Sequence, residues 1–165
     1  MRNARIPFTI VAVIAAIITG ASAFTLIFSN RLAEAQASCD QSLWGNVWLP
    51  QRLHLVNSCV SVSGVIKVIS INTDGDDHIL LQPDPKFRNF TNSANSFLLR
   101  GYLVVEAVCQ HTPISPDDAI SACARFSGTH FVVPRIGAHV KVIGSYVLDK
   151  EHQNWAEIHP LSSMG

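Results

Sequence analysis

The chain has 165 residues, a length suited to one domain, and 48% of them are hydrophobic. Twelve Lys and Arg balance twelve Asp and Glu; setting aside Arg2, Arg5, Arg31 and Glu34 in the leader leaves nine basic against eleven acidic residues. A slightly acidic remainder lacks the basic surface that clamps phosphates, which disfavours nucleic acid as a partner.

The apolar excess is local. From Ile6 to Phe28 there is no charged residue. At ~1.5 Å rise per residue such a helix could cross a ~30 Å hydrocarbon core. Residues 1–30 read as a signal peptide or a transmembrane signal anchor. The anchor is preferred because the run exceeds the ~7–15 residues of an ordinary signal core, although Ala21–Ala23 and Ala35–Ala37 both resemble cleavage sites. Arg2 and Arg5 precede the run, so the positive-inside rule leaves the N-terminus in the cytoplasm and the remainder outside. The expected location is membrane-anchored on the extracytoplasmic side, or secreted.

The cysteines fit that compartment. Cys39, Cys59, Cys109 and Cys123 all follow the apolar run, and an even number in an exported domain suggests two disulfides. Four cysteines allow three connectivities, of which the local pairs 39/59 and 109/123 are the most economical. A zinc site is the rival reading, but there is no C-x-x-C pair to support it. Asn89, in the sequence "NFT", is a candidate glycosylation acceptor in a polar loop.

Residues 31–51 read as a linker and barrel-covering segment, with Trp44 and Trp48 as a lid, and residues 52–165 as the folded domain. Ser58–Ile71 is a β-branched first strand, and Gly64 within it marks a bulge or bend. "NTDGDD" is a hairpin turn, and His78–Gln82 is the second strand. A polar loop with two prolines follows, then a third strand predicted over Phe97–Cys109. Ser115–Phe126 opens with Ser-Pro-Asp-Asp, an N-terminal helix signature. Ala138–Asp149 alternates as a fourth strand, and "WAEIHPL" closes the chain as a fifth.

Three strands, one short helix and two further strands describe a mainly β chain with the order of a five-stranded OB-like Greek-key barrel. The stretches "VSGVI", "DGDDH", "VVEAVC", "VKVIGSYVLD" and "NWAEIHP" resemble OB-fold domains of small exported or membrane-anchored prokaryotic proteins. The resemblance covers about residues 52–162 and implies the fold; it brings no catalytic residues with it.

In such a barrel the start of strand two and the ends of strands three and five lie together. This gathers Asp76, His78, Glu106, Glu157 and His159 as candidate metal ligands. Trp155, Glu157 and His159 share one strand face and, with Glu106, form the candidate ligand-binding set. The competing account is structural: a carboxylate and an imidazole pairing where the barrel closes. The expectation is an extracytoplasmic binding module, non-catalytic and tethered to the membrane by its N-terminal helix. Its ligand would be an ion, a small molecule or an envelope protein, and a divalent metal is the cofactor to consider. A metal-dependent hydrolase using the rim carboxylates and His159 is the alternative, with single-stranded nucleic-acid binding suggested by fold analogy alone.

Overall fold

The computed structural model describes residues 38–165. The apolar run assigned as signal peptide or anchor lies outside them. Among the described residues no helix is long and apolar enough to cross a membrane.

The architecture is mainly β. In chain order the elements are β1 (Leu53–Ile71), β2 (Asp77–Pro83), α1 (Ser93–Leu99), β3 (Leu103–Ala107), α2 (Asp117–Cys123), β4 (His139–Asp149) and β5 (Trp155–Met164). The strands pair in the order β1-β2-β3-β5-β4, and β4 returns to β1 so that the sheet closes on itself. All pairings are antiparallel except β3 with β5. Closure depends on the length of β1. Its 19 residues serve β4 along most of their course and β2 over the second half.

Gly64 lies where the two pairings overlap, opposite both Pro83 and Val140. A Cβ there would sit 2.2 Å from the Gln82 carbonyl oxygen, so only glycine admits this approach. The register shift with β2 comes two residues later, between Ile66 and Val68. Gly75 closes the turn into β2 at φ +93°, a conformation that L side chains rarely adopt.

Inward side chains of all five strands form the main core, among them Val62, Ile66, Ile79, Leu81, Leu103, Val105, Val142, Ile158 and Leu161. A smaller apolar cluster lies elsewhere. There, Leu43 and Val47 of the N-terminal segment pack with Leu53, Val108, Cys109 and Val147. Two disulfides, Cys39–Cys59 and Cys109–Cys123, secure this region. They consume all four cysteines and remove the zinc reading for them. Such bonds point to an oxidising, extracytoplasmic environment.

The third strand differs from its sequence reading. Residues 97–99, read as its start, end helix α1, and the strand runs only over Leu103–Ala107. The cause is a capping box. The Asn92 side chain accepts from the Ala94 and Asn95 amides, and the Asn95 side chain accepts from the Asn92 amide. Arg100 (φ 58°) and Gly101 (φ 81°) then turn the chain out of the helix. Phe97 is left 84% exposed, so the apolar residue read as the start of a strand instead faces solvent from the helix. The polar loop before it is likewise partly ordered, as a 3-10 helix at Pro85–Phe90. The helix between the third and fourth strands is present at Asp117–Cys123.

Candidate functional site

Strand alternation decides which side chains leave the barrel interior. Leu103, Val105 and Ala107 on β3, and Ala156 and Ile158 on β5, belong to the main core. Glu106 on β3, and Glu157 and His159 on β5, therefore take the outward face. His78 joins them because β2 pairs it directly with Glu106. The outward face is nevertheless sealed: Glu157 and His159 are fully buried and Glu106 is 4% exposed.

Arg52 closes part of this layer. It ends a 3-10 turn opened by Pro50, and its buried guanidinium pairs with Asp149 at the end of β4. It also lies 4.0 Å from Glu106 Oε2. Glu106 Oε1 lies 2.8 Å from His78 Nδ1. His159 Nδ1 lies 3.2 Å from Glu157 Oε2 and 3.4 Å from Glu106 Oε2. The Trp155 indole N–H donates to the other Glu157 oxygen. Asp76 enters from the hairpin turn, where its carboxylate accepts from the Cys109 amide at 2.7 Å. Asp74 accepts from the Asp76 amide at 3.1 Å.

Burial and mutual charge set the protonation of these groups. Burial pushes the Asp76 carboxyl up to about 7, with Glu106 and Asp74 adding to the shift against His159. Burial alone would raise Glu106 too, but His159, His78 and Arg52 outweigh it and hold that carboxyl at about 2. Glu157 is raised, first by burial and then by Glu106. For His78 and His159 burial favours the neutral ring, yet the adjacent carboxylates prevail and raise both.

The five sequence-predicted metal candidates thus fall into one layer, buried except for the half-buried His78, with different partners. Asp76, Glu106 and His159 each place a potential ligand atom within 4.8 Å of the others. His78 is paired with Glu106, and Glu157 is held between His159 and Trp155. Trp155 is half-buried and stacks on His152, with ring centroids 4.2 Å apart and planes 4° from parallel. Asn89 is exposed in its 3-10 helix.

Beside the layer opens a pocket of about 320 Å³. Its lining includes Trp48, Arg52, Asp74, Glu106, Glu151 and Trp155, together with His78 and His152. Another cavity of about 380 Å³ lies beside the Cys109–Cys123 bridge; its lining includes His111 and His130 but none of the buried carboxylates. His111 is engaged there, its Nε2 being 2.8 Å from Asp77 Oδ1.

Arg52, Asp149 and His152 were not singled out from the sequence. Asp149 had a usable signal: it shares strand parity with Ser145 and Val147 on β4, and Val147 pairs with Glu157. Arg52 had none, because its partners are 54 and 97 residues away and it lies outside the strand pattern. No family model, no curated protein and no solved structure matches this chain.

Proposed function

We propose that the chain is an extracytoplasmic, OB-like binding module, joined to the membrane through its N-terminal apolar run. In the pocket beside Trp155 it takes a small polyhydroxylated ligand of the saccharide class. The strand order and the helix between β3 and β4 support the OB-like assignment. The two disulfides support export.

One observation carries the ligand class. The pocket sets carboxylates (Asp74, Glu106, Glu151) and N–H donors (Trp48, Arg52, His152) around a half-buried indole. A polyhydroxylated ring donates and accepts from the same groups and offers an apolar face to the indole. Trp48 Nε1 and Arg52 Nε are buried with no hydrogen-bond partner, so two donors lack acceptors. The near balance of acidic and basic residues suits a neutral ligand better than a polyphosphate.

Calorimetric titration of the full chain with N-acetylglucosamine and with glucose tests this. The expected result is saturable binding of at least one sugar, weakened roughly tenfold in Trp155→Ala, the equivalent of about 1.4 kcal/mol. Heats that never saturate for either sugar, or equal affinity in Trp155→Ala, would overturn the reading.

A further inference from the structure

The same layer contains an arrangement that saccharide binding does not require. Asp76, Glu106 and His159 come from three separate strands or turns, and their ligand atoms lie within 4.8 Å of one another. All three residues are buried, at 3%, 4% and 0% exposure. Two of their polar atoms, Glu106 Oε2 and His159 Nε2, have no hydrogen-bond partner. Glu106 Oε2 keeps only longer contacts, 3.4 Å from His159 Nδ1 and 4.0 Å from Arg52. Fully buried His159 Nε2 is thus the atom left wholly without a partner, and a buried polar atom of that kind calls for something to bind it.

Charge gives a second, independent reason. Asp74, Asp76, Glu106, Asp149 and Glu157 are five buried carboxyls in this layer, against one guanidinium, Arg52, and the imidazoles of His78 and His159. A divalent cation would supply the missing positive charge at the place where carboxylates converge.

We infer that Asp76, Glu106 and His159 bind one divalent first-row metal ion of the zinc class, with Glu157 as the positioning residue. Two carboxylates and an imidazole are an ordinary ligand set for such an ion and balance its charge. Glu157 sits 3.2 Å from His159 Nδ1, the carboxylate–imidazole contact that orients a ligating ring and directs Nε2 to the metal. Trp155 in turn fixes Glu157 through its indole N–H. The indole wall of the pocket and the metal ligands are therefore one connected set. Glu106 belongs to both the trio and the pocket wall, so the ion sits at the pocket's edge. Three protein ligands leave a zinc-class ion a further coordination position.

The inference deepens the reading of this pocket as a binding site, yet its test needs no saccharide. Untagged full chain, stripped with chelator and dialysed, is titrated with Zn²⁺ by calorimetry, and bound zinc is counted by elemental analysis. The expected result is one equivalent per chain and a higher Tm. Asp76→Asn and Glu106→Gln should lose this binding. Glu157→Gln should keep the stoichiometry but bind about 10–100-fold more weakly. A purely structural Glu157 would change stability and leave zinc affinity alone. Stripped wild type that is folded by circular dichroism and takes up no Zn²⁺ would overturn the inference without recourse to any variant. Equal affinity in folded Asp76→Asn and Glu106→Gln would overturn it as well. N-acetylglucosamine titrated into the stripped wild type separates the two readings, since sugar binding that persists without zinc uptake removes only the metal site.

Discussion

Asn95 makes with Ala156 the two hydrogen bonds that a neighbouring strand would make. Its Nδ2 donates to the Ala156 carbonyl at 3.0 Å, and its Oδ1 accepts from the Ala156 amide at 2.8 Å. The same Nδ2 also donates to the Tyr102 carbonyl at 2.9 Å. A side-chain amide on α1 thereby completes the backbone pairing of β5 where β3 has not yet begun. Because β5 carries Trp155, Glu157 and His159, this contact fixes the start of the strand that presents them.

Asn95→Ala is expected to destabilise the protein by about 2–4 kcal/mol, because both backbone groups of buried Ala156 and the part-buried Tyr102 carbonyl lose their partner. Urea unfolding measures the loss. Asn95→Asp should recover only part of it. Its carboxylate still accepts from the Ala156 amide, but it cannot donate to the two carbonyls.

Arg52→Met removes the guanidinium paired with the fully buried Asp149 and lying 4.0 Å from the nearly buried Glu106. Breaking one side of a buried ion pair costs about 3–5 kcal/mol. Denaturant midpoints should show a loss of that size. Arg52→Lys should also be destabilised, since a single ammonium cannot reach both carboxylates as the forked guanidinium does.

Gly64→Ala places a Cβ against the Gln82 carbonyl, where a backbone atom rather than a flexible side chain must yield. The expected cost is about 3 kcal/mol or more, at the upper end of overpacking. Amide exchange should show it first at the β1–β2 pairing. Ser61→Ala, on the same strand, should have little effect.

Reduction should weaken the fold in two separable steps. The disulfides span 20 and 14 residues, and loops of that length contribute about 3 kcal/mol each. The paired replacements Cys39→Ser/Cys59→Ser and Cys109→Ser/Cys123→Ser, unfolded in urea, are expected to lose similar amounts. A loss near zero for either pair would count against its contribution to stability.

Asp84 supplies an acid-sensitive contact away from the pocket. A bond from Ser63 and the proximity of the His139 ring hold its carboxyl below the usual range. A carboxyl lowered on folding contributes stability at and above its unfolded value near 4, and that contribution disappears as pH falls through the folded value. Asp84→Asn should therefore lose less stability than wild type when acidified below pH ~4.

The strand order was readable because alternation in "VKVIGSYVLD" and the β-branched run before Asn72 reflect a core that needs one face of each strand. The start of the third strand was not, because "FLLRGYLVVEAVC" is apolar on both sides of its Arg-Gly pair, and nothing local marks where the strand begins. Helix α1 there starts at the local Asn92–Asn95 capping box, while the bonds of Asn95 to Ala156 appear only once β5 is beside it. Glu106, Glu157 and His159 were legible as neighbours because β3 and β5 run parallel, with Val104 opposite Glu157. Arg52 and Asp149 complete the layer from residues far apart in sequence. No local pattern encodes a pair of that kind, since its energy arises from shared burial.

The Cys39–Cys59 bridge also governs how mechanical force would travel through the protein. It joins the first described residues to β1 at Cys59, closing a loop that contains Trp48 and Arg52. Tension applied from the N-terminal side would pass through the sulfur–sulfur bond directly into the strand shared by both halves of the sheet. The loop that covers the pocket would carry no load, so force from that side would leave the pocket undisturbed until the barrel itself gave way.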